Sequence, residues 1–172
     1  PAVSVVVSCP LYVVHGGEQR SHSVLNALDK LSTLAADDTW VLVHDAARPC
    51  LRQEDIDRLL SALSNHDVGG LLGLPVNYTV KRTSNDDVIM ETIERRNLWR
   101  ASTPQMFRLV ILKSALQASR EQNITVTDEA SAIEFVGLEP VMVEGHADNI
   151  KITVSTDLAL AQLFMQQQRG EG

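Results

Sequence analysis

The sequence predicts an α/β protein: an open, mostly parallel sheet flanked by helices, with a short β-arm projecting from it. Three observations carry that expectation. Apolar, β-branched runs alternate along the chain with segments of helical periodicity, the pattern of strand–helix–strand units whose sheet is covered on both faces. The 44% hydrophobic content rests on Val, Leu, Ile and Ala, because there are only two Trp, two Tyr and three Phe. At 172 residues the chain is expected to form a single domain, residues 1–172.

Segments 3–8 (VSVVVS) and 11–14 (LYVV) each suit a short buried strand, yet only Cys9 and Pro10 separate them. Parallel neighbours need a crossover of about a dozen residues, and Cys-Pro is not a favoured hairpin turn. Either this is one bent strand or residues are missing at that junction. A Gly16-Gly17-Glu18-Gln19-Arg20 loop follows. Ser21 or Ser23 is expected to cap a helix whose apolar positions are Val24, Leu25, Leu28 and Leu31. Residues 40–44 (WVLVH) read as a buried strand that ends abruptly at Asp45.

A helix over 53–64 presents Ile56, Leu59, Leu60 and Leu63, and another buried strand is expected over 69–76. Residues 77–95 differ: two alternating stretches flank Ser84-Asn85-Asp86-Asp87, which fits a hairpin arm at about 77–96. An isolated two-stranded hairpin is marginal in water, so a partner subunit is the natural surface for it. The chain returns through Thr103-Pro104-Gln105-Met106-Phe107, to which no element is assigned. A helix around 109–121 and a second one capped by Thr127, with Gly137 at its end, come next. Strands at 140–144 and 149–153 and a helix from Ser155 complete the reading, and the tail beyond Gln166 is polar.

Charge and composition exclude several classes. Fifteen basic and 22 acidic residues give a net charge of -7, the wrong sign for gripping nucleic acid over a wide surface. No run approaches the ~18 apolar residues of a membrane span. Cys9 and Cys50 have no zinc-ligand spacing around them and no secretory signal is evident, which points to a reducing cytoplasm. The five histidines form no HExxH pair, and neither a GxSxG elbow, a Walker loop nor a GxGxxG motif occurs.

In open α/β sheets, ligands collect outside the carboxyl ends of the strands. Asp45 and Arg48 stand there, and a carboxylate with a guanidinium three residues on could hold a metal-bound phosphate beside a second anion. Equally, they could be a turn cap and a surface ion pair. Lys151, in DNIKIT, alternates within an apolar stretch, where a lysine is costly unless it meets an anion; an edge-strand lysine is the competing reading. The Gly16-Gly17 loop offers free N–H groups to a base or phosphate, or is only a turn. Thr79, Lys81, Arg82, Arg95 and Arg96 concentrate donors on the arm, as a solvated surface also would.

Taken together, VLVHDAARP (41–49), GGLLGLPVNYTVKR (69–82), TIERRNLWRASTPQMF (92–107), TVTDEASAIE (125–134) and VEGHADNIKIT (143–153) resemble the 2-C-methyl-D-erythritol 4-phosphate cytidylyltransferases. The likeness runs in order from about residue 11 to 164. It implies a Rossmann-like homodimer that exchanges its β-arm and joins CTP to methylerythritol phosphate with Mg²⁺, releasing pyrophosphate in isoprenoid precursor synthesis. By that resemblance, Asp45 lies between nucleotide and sugar phosphate near the metal, with Ala46 on the nucleotide side and Arg48 on the methylerythritol phosphate. Thr79 and Arg95 reach that substrate across the dimer, Lys151 approaches the phosphates, and Gly17, Glu18 and Ser23 line the cytidine. Thr103 and Thr127 join the substrate pocket. Glu18 stands where the family often has Asp. The family's glycine-rich loop, bearing an Arg and a Lys, has no counterpart here, and the chain begins at Pro1; a preceding segment is therefore expected. A cytidylyltransferase for another polyol phosphate, such as ribitol 5-phosphate, and a non-catalytic nucleotide-binding or dimerisation module are the competing functions.

Overall fold

A computed structural model of the chain describes residues 9–170; the strand expected over 3–8 lies outside the described residues. The elements follow in chain order as α1 (Arg20–Leu31), β1 (Trp40–Val43), α2 (Gln53–Leu63), β2 (Gly69–Pro75), β3 (Val80–Thr83), β4 (Ile89–Ile93), β5 (Trp99–Arg108), α3 (Leu109–Glu121), α4 (Glu129–Phe135), β6 (Val141–Glu144) and α5 (Ser155–Gln168). Among the described residues, no helix is long and apolar enough to cross a membrane.

The main sheet has the order β1-β5-β2-β6. β2 and β6 pair in parallel, and β5 runs antiparallel to both β1 and β2. β1, β2 and β6 therefore point the same way, with one opposed strand between β1 and β2. Successive residues on β2 and β5 face opposite sides, as the pleat demands. Leu71 and Phe107 enter a core with Leu25 and Leu28 of α1, Leu112 and Leu116 of α3 and Ile133 of α4. Leu72 and Met106 enter a second core with Leu59 and Leu63 of α2 and Val143 of β6. The helices thus cover both faces, and the carboxyl ends of the three like-directed strands are left for other work.

β5 is the element the sequence conceals. Its pairing with β2 slips: Leu71 lies opposite Gln105, but Gly73 lies opposite Ala101. Extra residues around Ser102, Thr103 and Pro104 form a bulge, the one place where a central strand tolerates a proline without a ladder N–H. The bulge sits beside the end of β1, where Val43 pairs with Gln105.

Other expectations shift for local reasons. Residues 11–14 form no strand. Neither Ser21 nor Ser23 caps α1, which starts at Arg20 after Gln19; the Ser23 hydroxyl instead accepts the Gly17 N–H at 2.9 Å. The cap of α4 is Asp128 rather than Thr127: its carboxylate accepts the Ser131 N–H at 2.9 Å. Residues 149–153 are not a strand but a connection crossing toward β1, with the Ile152 N–H donated to the Ala47 carbonyl at 2.8 Å. Asp157 caps α5 by accepting from the Thr153 and Val154 N–H groups. The arm is as expected: β3 and β4 make a separate two-stranded sheet that pairs Val80 with Ile93.

Close contact between β2 and β6 depends on Gly70, where an added Cβ would lie 2.2 Å from the Val141 carbonyl oxygen. That neighbour is ladder backbone and cannot yield cheaply. Gly70→Ala is expected to destabilise the fold by about 1–3 kcal/mol in urea unfolding, as overpacking does. Unchanged stability would mean that the β2–β6 approach is looser than described.

Candidate active site

The site grows from the turn that ends β1. Arg48 N–H bonds back to the Asp45 carbonyl at 2.9 Å, closing a turn over Asp45-Ala46-Ala47-Arg48 that returns the guanidinium to its own strand end. The Asp45 side chain, 13% exposed, meets three cations: Lys151 Nζ at 3.1 Å, Arg20 Nε at 3.1 Å and Arg48 Nε at 3.6 Å. Burial alone would raise the Asp45 carboxyl. The hydrogen bond from Lys151 and the charge and hydrogen bond of Arg20 outweigh it and hold the group below the usual carboxylate range.

The three cations are not equivalent. Arg20 is also held in a fork by Glu129, with Nη1 at 2.6 Å and Nη2 at 3.0 Å from the two carboxylate oxygens. Glu129 is fully buried at the start of α4. Burial works against the Arg20 charge, but Glu129 and then Asp45 overcome it, so its pKa is raised. For Arg48 burial dominates and Asp45 offsets it only in part, leaving its pKa lowered, although a guanidinium stays charged regardless. Arg48 Nη1 donates to the Asn149 carbonyl at 2.9 Å, while its buried Nε has no hydrogen-bond acceptor. Arg48 is thus held by a backbone carbonyl and, at ion-pair distance, by Asp45. Lys151 keeps 45% of its side chain exposed, so it is neither a buried nor an edge-strand lysine.

The bulge in β5 secures the carboxylate's backbone. Thr103 Oγ1 accepts the Asp45 N–H at 3.0 Å and lies 3.0 Å from His44 Nδ1, while His44 Nε2 lies 3.0 Å from the Arg48 carbonyl. A carbonyl can only accept, so Nε2 carries a proton; in the neutral ring Nδ1 then accepts from the Thr103 hydroxyl. Gln105, next along the bulged strand, donates to Asp128 at 2.9 Å and accepts the Ala130 N–H at 2.8 Å, fastening α4 and hence Glu129. Asn149 donates to the Thr103 carbonyl at 2.8 Å.

Two cavities meet at this cluster. One, of about 220 Å³, is polar and bounded by Arg48, Ser102, Thr103, Thr127 and Asp128. The other, of about 410 Å³, has an apolar floor of Val24, Ala27 and Val43 with Ser23 and Ala46 at its side. Asp45, Arg20 and Lys151 border both. A single carboxylate with its cations thus forms the partition between a small polar chamber and a larger, flatter one.

The structure brings Asp45, Arg48, Thr103, Thr127 and Lys151 together around the first cavity and places Ser23 and Ala46 on the second. Gly17 reaches the site only through Ser23, and Glu18 borders neither cavity. Thr79 and Arg95 stay on the exposed arm and line neither cavity within this chain; Arg95 donates to the Asn77 carbonyl. Sequence reasoning missed Arg20, Glu129, Gln105 and Asn149. Glu129 reads as a first-turn acid favoured by the helix dipole, and nothing local marks it as the partner of an arginine 109 residues away.

Among the described residues, no three His, Cys, Asp or Glu side chains gather into a metal cage. Both Asp128 oxygens are engaged, by Ser131 and Gln105. Asp45 is the one carboxylate on both cavities. A single carboxylate there suits a divalent cation whose remaining ligands come from outside the protein.

The family model described as 2-C-methyl-D-erythritol 4-phosphate cytidylyltransferase matches residues 2–167. The chain belongs to this cytidylyltransferase family. It is 58% identical over 154 residues to the 2-C-methyl-D-erythritol 4-phosphate cytidylyltransferase of Hahella chejuensis, covering 90% of this chain and 64% of that protein. To the enzyme of that name from Actinobacillus pleuropneumoniae it is 48% identical over 167 residues, covering 97% of this chain and 71% of the relative. The chain thus spans about two thirds of the length of the curated relatives it matches. The crystal structure of the Francisella tularensis cytidylyltransferase superposes with a TM-score of 0.79 at 39% identity, over 90% of this chain and 75% of that one. The open α/β sheet with flanking helices is therefore the fold of solved family members.

Asp45 links the site to stability. Its pKa is depressed by folding, so its contribution is present above the ordinary carboxylate value and is lost as pH falls through the folded one. Asp148 behaves alike: burial raises it, but hydrogen bonds from Arg52 and Gln168 bring it below normal. Urea midpoints are expected to fall as the pH drops below about 4, and less steeply for Asp45→Asn. The same slope in both proteins would show that Asp45 is not coupled to its cations.

Proposed function

We propose that this protein transfers the cytidylyl group of CTP to 2-C-methyl-D-erythritol 4-phosphate, giving 4-diphosphocytidyl-2-C-methyl-D-erythritol and pyrophosphate in isoprenoid precursor synthesis. The observation that carries the reading is the partition made by Asp45, Arg20, Arg48 and Lys151 between two cavities of different character. The larger cavity, with its floor of Val24, Ala27 and Val43, suits the flat face of a nucleoside. The smaller one, bordered by Arg20, Arg48 and Lys151 and by the hydroxyls of Ser102, Thr103 and Thr127, suits the phosphate and hydroxyls of a polyol phosphate.

The reaction asks little covalent chemistry of the protein. A phosphate oxygen of the sugar phosphate forms a bond to the α-phosphorus of CTP as the bond from that phosphorus to the β-phosphate bridging oxygen breaks. The electron pair leaves with pyrophosphate, and no proton must move. The obstacle is the approach of an anion to a polyanion, which positioned cations lower. Arg48 anchors the incoming phosphate, and Lys151, bordering both cavities, faces the charge that develops between them. Asp45 keeps these cations gathered and would hold Mg²⁺ together with the nucleotide phosphates. When bound, the ion supplies charge neutralisation on the triphosphate. Thr103 fixes the Asp45 backbone, and Thr127 closes the polyol side.

The arm completes the reading. The arm exposes Val88 (60%), just before β4, and Ile89 (61%) and Met90 (66%) in β4, apolar residues that a lone hairpin has no reason to display to water. We assign them to arm exchange in a homodimer, in which Thr79 and Arg95 reach the polyol phosphate in the partner's site. The exposed Cys9 and buried Cys50, both unpaired, suit the reducing cytoplasm in which such an enzyme works.

Pyrophosphate release from CTP with methylerythritol phosphate, compared with ribitol 5-phosphate, tests the substrate. Turnover only with the latter would overturn the assignment. Lys151→Ala should fold normally and lose about 10²–10³ in kcat, the usual cost of one preorganised donor. Arg95→Ala should chiefly raise KM for the polyol phosphate, and mixing it with Lys151→Ala should restore part of the activity if sites are shared. No recovery on mixing would refute the arm exchange.

A further inference from the structure

Lys151 does its work from a connection, not from a strand, and what fixes that connection lies outside both cavities. α2 and the residue before it present Arg52, Asp55 and Arg58 at every third position, which is one face of a helix. At the end of β6 and in the turn beyond it, the chain brings positions 144, 146 and 148 against that face. The two series meet rung by rung in opposite directions. Arg58 Nη1 donates to the Glu144 carbonyl at 2.6 Å. The backbone N–H and Nδ1 of His146 converge on Asp55 Oδ1 at 3.1 and 2.8 Å. Arg52 Nε donates to Asp148 Oδ2 at 2.8 Å, and Gln168 of α5 reaches the same oxygen at 3.0 Å.

The middle rung is the most committed. Asp55 is fully buried, and its second oxygen has no partner, so both donors on the first come from His146. A buried carboxylate with one engaged oxygen is costly to leave unpaired. Immediately beyond the last rung the chain delivers its functional contacts: Asn149 to Arg48 and Thr103, Lys151 to Asp45, and Ile152 to Ala47. No ladder hydrogen bonds hold residues 149–153, so the side-chain rungs supply the register that a strand would otherwise provide.

We propose that α2 sets the position of Lys151 through these rungs, with Asp55 and His146 as positioning residues for the reaction although neither borders the two cavities at Asp45. The inference rests on the reading of Lys151 as the cation facing the transferred phosphoryl group. Displacing a catalytic group by about 1 Å can cost 10²-fold in rate, so a side chain far from the reacting atoms can matter through the rung it makes.

His146→Ala, at a half-exposed position, is the primary variant. His146→Asn, which can still donate to Asp55, is the conservative rescue, and Arg58→Ala breaks the outer rung at an exposed residue. In His146→Ala, kcat should fall on the order of 10–10²-fold with KM for CTP little changed, and His146→Asn should recover most of it. In a Lys151→Ala background the same substitution should cost nothing further. Hydrogen exchange supplies a reading independent of turnover: the Ile152 amide should exchange faster in His146→Ala and in Arg58→Ala, with α3 amides unchanged. Unaltered exchange at 149–153, or a full extra loss of kcat on top of Lys151→Ala, would overturn the proposal. If the unmodified protein turned over neither polyol phosphate, the functional reading would fail, and the exchange result would still decide whether the rungs position Lys151.

Discussion

The partly buried carboxylate of Asp45 is the constraint around which the rest is arranged. Three cations approach it from three parts of the chain: Arg20 from the start of α1, Arg48 from the turn after β1 and Lys151 from the connection beyond β6. Without that carboxylate the cations would repel one another at the mouth of the sheet. With it they form a wall that keeps a net positive charge, three cations against one carboxylate, and an arriving phosphate or metal ion can exchange partners with it. The asymmetry within the wall sets the division of labour. Arg20 is forked by Glu129, Arg48 borders only the smaller cavity, and Lys151 is half exposed and borders both.

Each of those side chains is held by elements whose own reasons for forming are ordinary packing. The alternation of Leu71 with Leu72 and of Phe107 with Met106 splits the core between the two faces of the sheet and fixes where β5 lies. The bulge in β5 then lifts Thr103 onto the Asp45 backbone and turns Gln105 toward α4, which carries Glu129. On the opposite face, α2 contributes Leu59 and Leu63 to the core while its Arg52–Asp55–Arg58 edge grips the chain that brings Lys151. Packing and site geometry are thus joined through a few polar side chains at the sheet's end.

Much of this was legible in the sequence where chemistry and periodicity are local. The apolar run ending at Asp45, the helix expected over 53–64 and found at Gln53–Leu63, the arm and its turn, and the lysine in DNIKIT all follow from patterns a few residues long, and the five motifs carried the family. What was not legible depended on pairing across distance. β5 hid because Pro104 argues against a central strand unless one knows that a bulge receives it. Residues 149–153 alternate like a strand, yet their partners are side chains and a loop carbonyl rather than a ladder. Ser23 looks like a cap, but its hydroxyl serves Gly17. The Arg20–Glu129 pair spans 109 residues, and no single-sequence pattern announces it.

The claim that binds these pieces is that the charged wall separates a polyol phosphate chamber, anchored by Arg48, from a nucleoside chamber that does not use it. Calorimetric titration of Arg48→Ala with methylerythritol phosphate and, separately, with uncharged cytidine tests it most directly. Loss of one charge-assisted contact is expected to weaken the phosphate ligand by about tenfold or more and to leave cytidine binding unchanged. Equal weakening of both ligands, or of neither, would contradict the division.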